Sequence, residues 1–195
     1  MPNSNFTPEE SEELQTLLKK IQQNNYWIPD QETWKELQRT VSRWAIELVI
    51  TDLDNRNAPK ILLTRYTETG AIAEHHNLFH IAGGFDKFPE NIQETCTRIA
   101  GEELSVDVTF QGVLGIHKWT PEEHPWGSRV LSIYAACTPL QPIIQKEGQH
   151  FFTLEEVLAL GPENMDPKHP HRTFIDQYLK KIESGKIPEP VTLGV

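Results

Sequence analysis

The residues best suited to chemistry lie between positions 80 and 106. Gly83 and Gly84 open a loop that carries Asp86, Lys87 and Glu90, and a stretch with helical spacing follows, bearing Glu94, Arg98, Glu102 and Glu103. Glycine permits a tight turn and can expose a carbonyl, while adjacent carboxylates on a helix supply hard oxygen ligands. Arg98 stands four residues after Glu94 and four before Glu102, so its guanidinium can hold carboxylates in a fixed orientation. Oriented oxygens of this kind suit Mg²⁺, with Mn²⁺ as its substitute; the ion keeps several waters and binds phosphate oxygens beside one or two carboxylates. These residues therefore point to phosphate chemistry.

The spacing resembles the Nudix box, which reads Gly, five residues, Glu, seven residues, Arg-Glu, an aliphatic residue, any residue, Glu-Glu, any residue, Gly and a last aliphatic residue. Gly84, Glu90, Arg98, Ala100, Glu102, Glu103 and Val106 occupy the matching positions. At average residue usage the five invariant-type matches would arise by chance in a chain of this length roughly once in a few thousand sequences, so the likeness is specific. Two positions depart from the pattern. Ile99 replaces the glutamate after the arginine, and Ser105 replaces the last glycine; Ala82 in place of a common proline is a milder change.

The resemblance spans residues 42–182 and implies an α/β (α+β) fold, an α/β/α sandwich with a mixed β-sheet. It implies a hydrolase acting on acid anhydrides, which cleaves the pyrophosphate of a nucleoside diphosphate linked to another group as water attacks phosphorus. In that reading the Gly83 carbonyl, Glu102 and Glu103 hold the metal, Arg98 fixes the helix carboxylates, and Arg65 and Gly84 contact substrate. The loop at 146–150 would add one more group. Glu147 is its candidate metal ligand or base, and His150 is the competing base. Two alternatives follow. Attack at the sugar carbon of a nucleoside diphosphate sugar would use His150, and a slowly turning nucleotide sensor would follow from the acid lost at Ile99.

The elements that must position these groups are legible from periodicity. Thr7, Pro8 and Glu10 have the spacing of a capped helix start, with Leu14, Leu17, Leu18 and Ile21 as an apolar stripe. Asn24 and Asn25 end this helix, and a second one places Trp34, Leu37 and Val41 on one face. Residues 1–41 thus form a helical arm with a covering or homodimerising face. Residues 42–185 form the main domain, and 186–195 an extended tail. Alternation at 44–50 and the apolar run at 61–63 predict two paired strands; further strands are expected at 106–116 and 129–138. Helices are predicted at 91–104, from Thr153 to Leu160, and at 170–182.

Composition narrows the partners. With 18 Lys+Arg against 28 Asp+Glu the net charge is −10, which disfavours nucleic acid and anionic membranes. An anionic substrate then needs a local positive pocket, for which Arg65, Lys87, Arg98 and Arg129 are the candidates. No apolar run approaches the roughly 20 residues of a spanning helix, and the acidic start lacks the features of a signal peptide. The expected setting is the cytoplasm, with Cys96 and Cys137 as reduced thiols. His117, Trp119, His124, Trp126 and Arg129 surround a loop that reads as ordinary packing or as a wall against a base or sugar. His75, His76, His169 and His171 lack the cysteine partners of a zinc finger.

Overall fold

The computed structural model describes residues 7–23, 30–40, 43–53, 58–66, 77–87, 89–120, 123, 130–166, 169–186 and 189–191. Helix α1 (Pro8–Gln23) starts as its spacing predicts: the Glu10 amide donates to Thr7 Oγ1 at 3.2 Å, and the Thr7 amide to Glu10 Oε2 at 2.7 Å. Its apolar stripe stays open, with Leu14, Leu17 and Leu18 all exposed. Helix α2 (Gln31–Thr40) turns Trp34 edge-on to Phe85, ring centroids 6.1 Å apart. The Arg43 guanidinium lies over both rings, at 4.8 Å and 4.1 Å, so the arm reaches the strand that holds the glycine pair. Asn24, Asn25 and Val41 fall outside the described residues.

Strand β1 (Arg43–Val49) departs from the predicted pairing. Residues 45–49 are all buried, because β1 is an inner strand rather than a half-exposed one. It runs antiparallel to β5 (Gly83–Phe85) and parallel to β7 (Val130–Pro139), with β6 (Val108–Lys118) beyond, forming a mixed sheet. The expected partner, β3 (Lys60–Arg65), belongs to a second, antiparallel sheet with β2 (Thr51–Asp52), β4 (Phe79–His80) and β8 (Gln149–Thr153). Ile50 is the junction: the chain bends there, and its carbonyl accepts from the Leu62 amide at 2.9 Å.

Helices cover both faces. On one side α3 (Ile92–Ile99) packs Cys96 and Ile99 against Ile46, Leu48 and Ile50. On the other, α4 (Leu154–Ala159) and α5 (Pro170–Glu183) bury Val157, Ile175 and Leu179 against Val49, Ile61 and Leu63. Alternate residues of β1 and β3 thus feed opposite cores, as the pleat requires. The result is the expected three-layer sandwich. Cys96 and Cys137 are free thiols buried in the first core. Of the predicted tail only residues 186 and 189–191 are described, and Val191 exchanges two 3.0 Å backbone hydrogen bonds with Val113 of β6. Among the described residues no helix is long and apolar enough to cross a membrane.

Candidate active site

The predicted helix at 91–104 forms, but in two parts. Asn91 caps α3, accepting from the Glu94 amide at 3.0 Å while Glu94 Oε2 accepts from the Asn91 amide at 2.8 Å. Residues 100–104 then widen into one π-helical turn, which carries Glu102 and Glu103. Wide turns of this kind re-aim side chains and are frequent at functional sites. The turn ends at Ser105 in the left-handed conformation, φ 57° and ψ 38°, which explains why a glycine suits that position.

Arg98 behaves as its spacing predicts and reaches further. Its Nε donates to Glu90 Oε1 at 2.7 Å, its Nη2 to Glu90 Oε2 at 3.0 Å and to the Phe85 carbonyl at 2.8 Å, and its Nη1 to Glu102 Oε2 at 3.2 Å. The fork on Glu90 holds that carboxyl below the usual carboxylate range. Glu94 serves the cap instead. Lys87 Nζ lies 3.6 Å from Glu102 Oε1, leaving Glu102 half-exposed between two cations.

Glu103 points inward. Burial, then the carboxylate of Glu47, push its pKa up to about 8, against a hydrogen bond from the Gly83 backbone that lowers it; Glu102 raises it slightly further. Its Oε2 is buried with no hydrogen-bond partner. Glu47 of β1 is buried beside it; Ser132 Oγ donates to Glu47 Oε1 at 2.8 Å, and His171 Nε2 stands 3.3 Å from Oε2. Burial, and next the charge of Glu47 and of Glu103, raise the Tyr66 hydroxyl as well.

Sequence reasoning missed Glu47, Ser132 and Tyr66, and weighed His171 only as a zinc ligand. Only Glu47 left a signal, as a carboxylate within an otherwise apolar inner strand.

A hard divalent cation fits this donor set. The orphaned Glu103 oxygen, with the Glu47 carboxylate beside it, lacks a positive counter-charge of the kind such an ion supplies. Among the described residues no three acidic, His or Cys side chains converge tightly enough to enclose an ion alone. Water and substrate oxygens would therefore complete the shell, which is the habit of Mg²⁺.

The loop at 146–150 meets the helix through a different residue from those expected. Gln149 Nε2 donates to the Glu103 carbonyl at 2.9 Å, and Lys146 Nζ to Ser105 Oγ at 2.6 Å. Glu147 sits exposed at the turn. His150, next along β8, points to the opposite face of the sheet, its ring 4.6 Å from Phe152 in the α5-side core. The structure thus brings Gln149, not His150, to Glu103.

Arg65 is occupied as well, hydrogen-bonded to the Asn77 carbonyl and to Asn164 Oδ1 at 3.0 Å and lying over Phe79 at 4.0 Å. Trp119 is buried and donates to Ser132 Oγ at 2.8 Å, while His117 pairs with Glu123 at 3.0 Å, as packing predicts. Arg129, His124, Trp126, His75 and His76 lie outside the described residues.

No protein-family model matches the chain, and no curated protein matches it by sequence. Solved structures do. A UDP-X diphosphatase aligns with 96% of this chain and 89% of its own at 17% identity, TM-score 0.54. A NUDIX hydrolase from Nitrosomonas europaea covers 76% of this chain and 93% of its own at 19% identity, TM-score 0.53. The NUDIX domain of Shewanella oneidensis NrtR, complexed with ADP ribose, covers 73% and 89% at 14% identity, TM-score 0.50. The chain has the Nudix fold, in agreement with the resemblance carried by residues 84–106.

Proposed function

We propose that this protein is a divalent-cation-dependent hydrolase that cleaves the pyrophosphate bond of a nucleoside diphosphate linked to another group, with water attacking phosphorus. One observation carries the reading: Glu103 is held at Gly83 with one oxygen buried and unpartnered, at the end of the helix on which Arg98 clamps Glu90 and Glu102. Fold alone would not license it, since one fold hosts many activities. The names of the similar structures, a UDP-X diphosphatase and a NUDIX domain with ADP ribose, support the substrate class.

Glu103, Glu102 and the Gly83 carbonyl would hold Mg²⁺ or Mn²⁺. The bound ion would neutralise pyrophosphate oxygens and acidify the attacking water. Arg98 keeps Glu90 and Glu102 from rotating, so the acids need little reorganisation when substrate arrives. Lys87, partly exposed beside Glu102, offers positive charge to an anionic substrate on a chain whose net charge is −10. Attack at a sugar carbon through His150 has no support, because that ring lies on the sheet face away from Glu103.

The test is a Mg²⁺-dependent screen of nucleoside triphosphates, ADP-ribose and nucleoside diphosphate sugars, with products resolved by chromatography. Release of a nucleoside monophosphate and a phosphorylated remainder, abolished in Glu103→Gln, is the expected result. Turnover that survives Glu103→Gln, or a nucleoside diphosphate with free sugar as products, would overturn the reading.

A further inference from the structure

Helix α1 carries an apolar face that the rest of the chain leaves bare. Leu14 is 38% exposed, Leu17 and Leu18 are 49% exposed, and half-buried Ile21 completes the stripe at i, i+3, i+4 and i+7. Helix α5, of similar length, instead buries Ile175, Tyr178, Leu179 and Ile182 in the core. Among the described residues the side-chain hydrogen bonds of α1 are its own: the Thr7 cap, and the Thr16 hydroxyl donating to the Glu12 carbonyl at 3.0 Å. A helix of 16 residues without a single alanine is marginal in water by itself, because most helical stability comes from packing an amphipathic face. The stripe therefore calls for a cover.

The charges beside it identify the cover. Glu13 and Lys20 stand seven residues apart, about two turns, and so flank the stripe on the same side. Neither makes an ion pair among the described residues. The helix dipole favours Glu9 and Glu10 in the first turn, but its influence is spent before Glu13. Turned end for end about a twofold axis beside Thr16, a second α1 sets its Leu17 against Leu14 and its Lys20 against Glu13. The symmetry repeats both contacts, as a self-complementary interface requires. A parallel pair would instead gather Glu9, Glu10, Glu12 and Glu13 of both copies at one end. The net charge of −10 opposes association at long range, but physiological salt screens it beyond about 8 Å and leaves the local pairs to decide.

We propose that α1 pairs antiparallel with α1 of a second copy of this chain, the leucine stripe forming the seam and Glu13 and Lys20 setting its direction. One helix pair is small beside the roughly 800 Å² per partner of a standard interface, so the dimer belongs to the weak, exchanging class. It stands independently of the function proposed above.

The experiment is sedimentation equilibrium of the full chain across micromolar concentrations at low and high salt. The wild-type mass should rise with concentration from one chain toward two, less steeply at high salt. Leu17→Glu should abolish the rise, since it puts two carboxylates into the seam. Glu13→Lys and Lys20→Glu each set like charges opposite one another twice, and each should weaken association at least about fivefold. The double variant with both changes restores opposite charges and should return to within about twofold of wild type. All these positions are exposed, and the double variant keeps the composition and net charge of the chain, so folding does not confound the comparison. A wild-type chain that stays monomeric throughout would overturn the proposal and leave the stripe to a different partner. Dimers that survive Leu17→Glu, or a double variant no stronger than the single ones, would overturn it too.

Discussion

Arg98 and Glu90 meet through two parallel hydrogen bonds, Nε to Oε1 at 2.7 Å and Nη2 to Oε2 at 3.0 Å, with both side chains about four-fifths buried. Their joint role is to tie the loop after the glycine pair to the helix, since Arg98 also donates to the Phe85 carbonyl. Lysine keeps the charge and cannot form the fork. Arg98→Lys should lower stability by about 1–2 kcal/mol in urea unfolding and lower kcat/KM at least about tenfold. Unchanged turnover would mean that the clamp serves the fold alone.

The proton on Glu103 yields a pH dependence with a definite sign. Its folded pKa lies near 8 and its ordinary value is 4.5, so between these limits the metal-free folded state binds a proton that the unfolded chain has released. Stability from this group is therefore undiminished below pH 4.5, falls as pH rises toward 8, and levels off above it. Glu103→Gln should remove that slope from thermal melts of the metal-free protein. Mn²⁺ displaces the proton, so binding at pH 7 should release about one proton, read as a buffer-dependent calorimetric heat.

What could be read from the sequence was local. Arg98, Glu102 and Glu103 are neighbours through helical spacing, and the Thr7 and Thr153 caps through a three-residue offset, so the chain itself brings these groups together. The wide turn at 100–104 left no local signature, because it depends on where Glu103 must meet Gly83. Strand β1 was legible as a strand but not as an inner one, since its burial is set by β5 and β7 from elsewhere in the chain. Glu47, Ser132 and His171 are distant in the chain; the parallel pairing of β1 with β7 joins the first two, and the packing of α5 on the mixed sheet adds the third. Around His150 the order of residues was legible but the face was not. That depends on the register of β8 against β3, which places Gln149 opposite Thr64 and His150 opposite Leu63.

Ile99 decides whether the missing glutamate can be restored. The side chain is 1% exposed in the α3-side core, and its Cγ1 is 3.5 Å from where a Cβ on Gly84 would stand. A carboxylate there would have apolar neighbours in place of water. Ile99→Glu should therefore lower stability by about 3 kcal/mol or more without raising turnover, whereas Ile99→Val should lose only about 1 kcal/mol. Chemical denaturation reads the first effect and the hydrolysis assay the second. A rise in kcat in a folded Ile99→Glu protein would show that the pocket admits an acid.

The loop at 146–150 separates two accounts of its role. Gln149 is buried; it donates to the Glu103 carbonyl at 2.9 Å and accepts from the Lys146 amide at 3.1 Å, so it fixes both the loop and the turn that carries the site acid. Glu147 is exposed beside Gly148, whose carbonyl accepts from the Arg65 amide at 2.9 Å and whose φ of 81° sets the turn. Gln149→Ala should cost about 1–2 kcal/mol of stability and reduce kcat about tenfold through the displaced helix end. Glu147→Ala and His150→Ala should each stay within about 0.5 kcal/mol of wild type, with kcat changed less than about threefold. If Glu147→Ala instead abolishes turnover at wild-type stability, the loop supplies an acid to the reaction directly, and the bond from Gln149 serves to bring it there.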